Sequence, residues 1–386
     1  MGIFGDYIEG KFESGNHARD RKMYLEEISK LRKRPIITYA SDLQGDPMHI
    51  SIDYNDILPF YDQLSDIKSE DIDIILETPG GNPEVVEDIV KMIRDKFKRV
   101  GIIVPGSAKS AGTIFAMAAD EILMSPTSSL GPIDAQIYSG GKIYSADAFL
   151  KGLDKIMTGP TGYALMLQGI SPGEIQHCKN AQKLSKTLVT EWLANYKFKF
   201  WKKHSSNGDE VTDEDKKKRA YEIADRLSDQ GYWLTHGRSI KLKDLEEMRL
   251  QITDYSKIDK LYEAITRYYT LLRLGFVYSG IYKIIETHET QVIYSKGSVP
   301  GHLHPNPIPS SDPVPPPQDS FFLEAGCSNC GALGMFQIRL SRSARILNKA
   351  LLFPEDNKII CNHCNTEISL IDIRNMLESK LGQKIL

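Results

Sequence analysis

The chain has 386 residues, and 48 Lys and Arg against 51 Asp and Glu give it a formal net charge of −3. That length allows two or three domains with sizeable cores, and the near-neutral balance excludes a global electrostatic pull on nucleic acid or an anionic membrane. No run reaches the apolar length of a membrane span, the segment Met1 to Gly10 lacks the basic-then-apolar pattern of a signal peptide, and Asp6 breaks the myristoylation pattern. A cytoplasmic protein is the expectation.

Residues 1–34 are polar and charged. Met23 to Leu31 predicts a helix ending in the basic run Lys30 to Arg34, read as a solvated helix end rather than a nucleic-acid contact. Pro35 to Ala40 reads as the first strand of a sheet. Asp56 to Leu64 reads as a short helix with Ile57, Tyr61 and Leu64 on one face, and Pro59 falls in its first turn, where a missing N–H costs little.

The apolar run Ile72 to Leu76 predicts a strand, ended by Thr78-Pro79-Gly80-Gly81. Asn82-Pro83-Glu84 opens a helix through Val85, Ile89 and Ile93, and Val100 to Val104 returns as a second strand. This is a βαβ unit, whose parallel strands end on one edge of the sheet. The second strand leads through Pro105-Gly106-Ser107-Ala108 to Ser110 and a helical run from Thr113 to Ile122. Gly80-Gly81 and Ser110 therefore share that edge. A serine at a strand–turn–helix junction can expose its hydroxyl as a nucleophile. The N–H groups of Gly81 (or Gly80) and of Ala111 can hold a developing oxyanion. Taken alone, Ser110 would read as an ordinary helix cap.

Ile122 to Met124 reads as a further strand, and Ser129 to Ile133 continues along the site. Four motifs now stand in order: Glu77-Thr78-Pro79-Gly80-Gly81, Ser110-Ala111-Gly112-Thr113, Ala118-Ala119-Asp120-Glu121-Ile122 and Leu130-Gly131-Pro132-Ile133-Asp134. Together they resemble the serine dehydrogenase proteinase family, a relative of signal peptide peptidase A and, more distantly, of the Clp protease subunit. The resemblance spans about Ile36 to Ile252. It implies an α/β fold of the ClpP/crotonase type, with repeated ββα units and a parallel sheet. It also implies a serine peptidase acting on polypeptides as a homo-oligomer that encloses its sites.

The base is less direct. Clp-type relatives place a histidine where this chain has Asp134, and no histidine lies between His49 and His177. The signal-peptide-peptidase branch pairs serine with lysine, which must be neutral to act as a base. Lys151, in the helix expected over Ser145 to Lys151, stands at a spacing from Ser110 that resembles Ser-Lys relatives. Lys155, one turn later, Lys183, Asp134 and His236 are further candidates for the base or for orienting it. His236 lies in a segment similar to the family's Thr-His-x-x-Pro-Ile, with Ser239 where proline is usual. Lys109 is expected to point away from Ser110.

Glu174 to Lys203 predicts a long helix, with Leu184, Leu188, Trp192 and Tyr196 as a core or subunit-contact stripe. Pro160 to Ile170 is a candidate wall of a substrate channel. Ile258 to Thr287 reads as helix and Gln291 to Tyr294 as a strand. Eight prolines between Pro300 and Pro317 forbid regular structure and mark a linker. Beyond it, Cys327-x-x-Cys330 and Cys361-x-x-Cys364 give two knuckles, a strong pattern for one structural Zn²⁺ in a zinc ribbon. Such a ribbon can recognise protein or nucleic acid. The expected organisation is an N-terminal helical segment over 1–34, a protease domain over 35–255, a helical extension over 256–297, a linker over 298–319 and the ribbon over 320–386. Three other readings stand beside the peptidase: a crotonase-type acyl-CoA enzyme, a non-catalytic scaffold, and a nucleic-acid binder working through the ribbon.

Overall fold

The computed structural model describes residues 3–8, 17–139, 142–157, 172–204, 207–295, 320–326, 333–340, 351–354, 356–361, 364, 366–381 and 384. Two compact units divide the chain, residues 1–300 and 301–386.

The first unit is built on a seven-stranded sheet. Its strands are β1 (Ile36–Ser41), β2 (Asp71–Glu77), β3 (Arg99–Val104), β4 (Glu121–Met124), β5 (Thr253–Asp254), β6 (Ile281–Glu286) and β7 (Gln291–Ser295), in the spatial order β7-β6-β1-β2-β3-β4-β5. Strands β1 to β5 run parallel, and β6 and β7 add an antiparallel edge. The register lines up Ile37, Ile74, Ile102 and Ile122 in one row across four strands. Their sequence neighbours Ile36, Ile75, Ile103 and Leu123 face the other side, so both faces are buried. This is why these strands read as continuous apolar runs rather than as alternating ones.

Helices cover the two faces. On one lie Val85, Ile89 and Ile93 of α2 (Pro83–Lys96), the short α3 (Ala111–Ala116), and part of α5 (Pro172–Trp192) and α6 (Asp213–Ser228). On the other lie Leu25 and Ile28 of α1 (His17–Arg32), and Leu261, Tyr268 and Leu272 of α7 (Asp259–Tyr278). The helix α4 (Ala146–Met157) packs on α5. Among the described residues no helix is long and apolar enough to cross a membrane.

Short strands form a second layer at the C-terminal ends of β1 to β4. Ile52 bridges Gly81, Thr78 bridges Ala108, Ser107–Ala108 pairs with Ser129–Leu130, and Leu130 bridges Ile240. Long strand, short strand and helix thus recur along the chain, as the resemblance implies.

Three expectations change. The helix expected over Thr113 to Ile122 is α3, which ends at Ala116, because Oδ2 of Asp120 takes the Val100 N–H at 2.8 Å and draws the chain into β4. Helix α7 ends at Tyr278 rather than Thr287. Gly280, at φ +67°, breaks it, and Ile281–Glu286 leaves as β6. Residues 256–297 are consequently no separate extension, since α7, β6 and β7 complete the sheet and its second core. The edge is tied in by ion pairs. Arg21 reaches Glu286 at 2.9 Å, and the buried Lys283 reaches Asp56 at 2.8 Å.

The second unit carries a hairpin, Ser320–Gly326 with Leu333–Arg339, and a smaller hairpin, Lys358–Ile360 with Glu367–Ser369. Ile338, Phe353 and Leu370 form its core. Residues 298–319, the expected linker, and Pro160 to Ile170 lie outside the described residues, as do Cys327 and Cys330.

Candidate active site

The turn after β2 is shaped by glycine. Gly80 stands at φ +109° and Gly81 at φ +149°. A Cβ on Gly80 would lie 2.7 Å from the Lys109 carbonyl and 2.8 Å from Ser110 Cβ, and one on Gly81 would collide with the Ile52 backbone. Only glycine lets this corner approach Ser110 so closely. Asn82 then caps α2, accepting the Glu84 N–H at 2.9 Å, with Pro83 at its first position.

The turn after β3 carries Ser110 at φ +52°, ψ −118°, a conformation that side chains other than glycine adopt at a cost. Its side chain does not cap α3. The elbow is held by its neighbours: Thr113 Oγ1 donates to the Ala108 carbonyl at 2.8 Å and accepts the Gly131 N–H at 2.9 Å. Strain kept in place by surrounding bonds is a mark of functional sites.

The oxyanion donors can be sorted. The Gly80 N–H is taken by Thr78 Oγ1 at 3.1 Å. The N–H groups of Gly81 and Ala111 donate to no acceptor among the described residues. Gly81, Ser110 and Ala111 line one cavity of about 240 Å³, with Asp134, His177 and Ser185 on its other walls.

The expected bases are dispersed. Lys151 is half-exposed, and its ammonium lies 2.8 Å from Asp147 and 2.9 Å from Asp229. Hydrogen bonds to both carboxylates raise its pKa, the opposite of what a general base at neutral pH requires. Lys155 is exposed, and Lys183 lines a separate surface groove with Lys179 and Glu191. Lys109 does turn away. Its Nζ donates to the carbonyls of Leu130 and Arg238 and to Ser239 Oγ, and burial pushes its pKa down to about 8, with Lys241 adding to the effect. Asp134 is buried against Ser110's cavity and takes His236 Nδ1 at 2.7 Å and Gln136 Nε2 at 2.8 Å. His236 does not line that cavity.

Two groups escape a reading of the sequence. His177 lies on α5 in register with Ala181, Leu184 and Ser185, and that helical face is the one that lines the cavity. The i, i+4, i+7, i+8 spacing was its available signal. Glu77, the last residue of β2, is buried beneath both turns. Oε2 accepts the Ser107 N–H at 2.7 Å and Oε1 accepts the Tyr269 hydroxyl at 2.8 Å. Burial pushes its carboxyl up to about 7, against the opposing effect of those two donors.

The sequence model of the ClpP-like SDH-type serine proteinases matches residues 16–195, which holds both the glycine corner and the serine elbow. Uncharacterized protein MJ0137 of Methanocaldococcus jannaschii is 30% identical over 199 residues, 46% of this chain and 68% of the relative. The chain belongs to the ClpP-like SDH-type serine proteinase family. Uncharacterized protein MJ1495 of the same organism is 30% identical over 198 residues, 51% of this chain, and the chain spans 56% of that relative's length. Among solved structures the chain is similar to the 1510-N membrane-bound stomatin-specific protease, with 18% identity, coverage of 55% of this chain and 79% of that one, and a TM-score of 0.33. ClpP1 from Listeria monocytogenes shows 14% identity, coverage of 60% and 98%, and a TM-score of 0.33.

The metal expectation rests on half of its residues here. Cys361 is buried and Cys364 half-buried, both in the turn of the smaller hairpin, where the Cys361 N–H donates to the Thr366 carbonyl at 2.9 Å. Among the described residues no group of three or more metal-ligating side chains converges.

Proposed function

We propose that the protein is a peptidase that cleaves polypeptides through Ser110. The observation that carries this is the strained, uncapped Ser110 sharing one cavity with the free N–H groups of Gly81 and Ala111. Ser110 Oγ attacks the scissile carbonyl carbon as a base takes its proton. The two N–H groups hold the oxyanion, each worth about 2.7–4 kcal/mol by analogy with measured oxyanion donors. The C–N bond breaks as the base returns the proton to the departing amine. Water then attacks the acyl-enzyme, and the same base takes its proton.

Among the described residues that line this cavity the basic side chain is His177, and its imidazole serves as the base in this reading. An imidazole suits the role because one ring nitrogen can take a proton and give it back. The family resemblance favours a second reading, a Ser110–Lys151 dyad. That dyad requires Asp147 and Asp229 to release Lys151, as a contact between subunits of a homo-oligomer could make them do. A crotonase-type reaction would use the oxyanion donors alone, and a serine elbow that lines the cavity argues against it.

A fluorophosphonate probe separates these readings. Wild type labels, Ser110→Ala does not, and His177→Ala labels at least tenfold more slowly while Lys151→Ala labels normally. The reverse pattern moves the base to Lys151. Labelling of Ser110→Ala at the wild-type rate removes the peptidase reading and leaves the scaffold.

The second unit fits a zinc ribbon, as an accessory module of a cytoplasmic enzyme. Cys361 and Cys364 sit in one hairpin turn, and Cys327 and Cys330 fall in the connection between Ser320–Gly326 and Leu333–Arg339. Four thiolates would give a closed structural site, whose chemistry is to staple a small unit around the core of Ile338, Phe353 and Leu370. A protein or nucleic-acid partner for this module is part of the same proposal, and a gel shift in graded salt tests the nucleic-acid arm.

A further inference from the structure

Ser110 follows the C-terminal end of β3. Asp120 precedes the first residue of β4, so it lies at the opposite edge of the parallel sheet. There a second and larger cleft opens, about 810 Å³ in volume, lined on one side by Lys197, Phe198 and residues 200–203 and on the other by Arg249.

Its charge is one-sided. Arg219 is paired with Glu222 at 3.0 Å. Lys202, Lys203 and Arg249 make no ion pair among the described residues, and Lys197 donates only to the Asp120 carbonyl at 3.3 Å. Four cationic side chains thus face one cleft with no ion pair among the described residues. Burial pushes Lys197 down to about 8 despite Asp120 and Glu121 nearby, so an anion there would relieve a real cost.

The cleft is more than a charged patch. Phe200 lines it and is 65% exposed, with the Lys199 ammonium 5.7 Å from its ring centroid. Asp120 also lines it. Its Oδ2 is taken by Arg94 at 2.7 Å and by the Val100 N–H, while Oδ1 is enclosed and accepts nothing. The backbone departs from regularity on both sides, as a π-helical turn at Leu193–Lys197 and at Arg249, φ +58°. Such departures cluster at binding sites.

We propose that this cleft binds a nucleoside phosphate. The unpaired cations hold the phosphates and Phe200 stacks on the base. The exposed ring distinguishes this ligand from a bare polyanion, which would have no use for it.

The test uses the full chain at 0.15 M salt, titrated with ATP and with inorganic tripolyphosphate, and followed by calorimetry and by Trp201 fluorescence. Saturable ATP binding is expected, at least tenfold tighter than tripolyphosphate. Phe200→Ala and Arg249→Ala, both at exposed positions, weaken ATP about tenfold or more, in line with the worth of a stacked base. Ser110→Ala leaves it unchanged, so the outcome is independent of the peptidase reading. Equal affinity for tripolyphosphate, an unaffected Phe200→Ala, or no saturable ATP binding would each overturn the proposal. So would binding of single-stranded RNA with no competition by ATP.

Discussion

The Tyr269 hydroxyl donates to Glu77 Oε1 at 2.8 Å, and Glu77 Oε2 accepts the Ser107 N–H at 2.7 Å. One buried carboxylate therefore joins helix α7 to the turn that leads into Ser110, and Glu77 itself leads into the glycine corner. Its carboxyl is held near 7, against an ordinary value of 4.5, so the folded state binds the proton more tightly than the unfolded chain. Stability must then fall as pH rises from about 4.5 to about 7, by up to about 1.4 kcal/mol per pH unit. Chemical denaturation across that window should show this slope in wild type and its loss in Glu77→Gln. An identical slope in both proteins would assign the effect elsewhere.

Gly80→Ala should cost activity far more than fold. A methyl at φ +109° adds about 1–3 kcal/mol of strain and meets the Lys109 carbonyl and Ser110 Cβ. The elbow has to move, so probe labelling should drop about 100-fold or more, the scale of losing one oxyanion donor. Circular dichroism should meanwhile report a folded protein. Unchanged labelling would show that the corner does not set the site.

Lys283 and Asp56 form a pair with almost no exposure, and Tyr39 donates to the same carboxylate at 2.7 Å. Lys283→Met leaves Asp56 buried without its cation, a loss of about 3–5 kcal/mol. Lys283→Met combined with Asp56→Asn should recover much of that loss. A double variant no better than the single one would contradict the pairing as the cause.

Metal analysis of the full chain should find one zinc per chain. Cys361→Ser should lose it and raise the protease sensitivity of residues 320–386, with Ser110 labelling retained. A metal-free wild type with an intact second unit would refute the ribbon.

The glycine corner and the serine elbow were legible because both are punctuation in the chain. Gly80-Gly81 and Ser110 each end an apolar strand, and parallel βαβ topology alone brings them to one edge. The alignment of acid and base partners was not legible. Asp134 meets His236 across 102 residues, and Lys151 meets Asp229 across 78. Such pairings depend on how late helices pack, and local pattern carries no trace of it. The boundary at Gly280 was missed for another reason. Ile281-Tyr282-Lys283-Ile284-Ile285 shows no clean alternation, because Lys283 is buried in its ion pair where a strand facing one core would carry an apolar residue. For His177 the helical spacing with Ala181, Leu184 and Ser185 is the signal, and it gains meaning only once that face is known to border a cavity.

Ile52 holds the outer side of the glycine corner. Its N–H donates to the Gly80 carbonyl at 2.8 Å, and its own carbonyl accepts the Asn82 N–H at 2.9 Å. The segment that delivers Ile52 is short, and exposed at Met48 and His49. Opening this segment would release the corner at the loss of Ile52 from the first core, with the rest of both cores still packed. Heat inactivation should therefore run ahead of melting, and a lesion in residues 47–51 would read in the cell as a stable but silent protein.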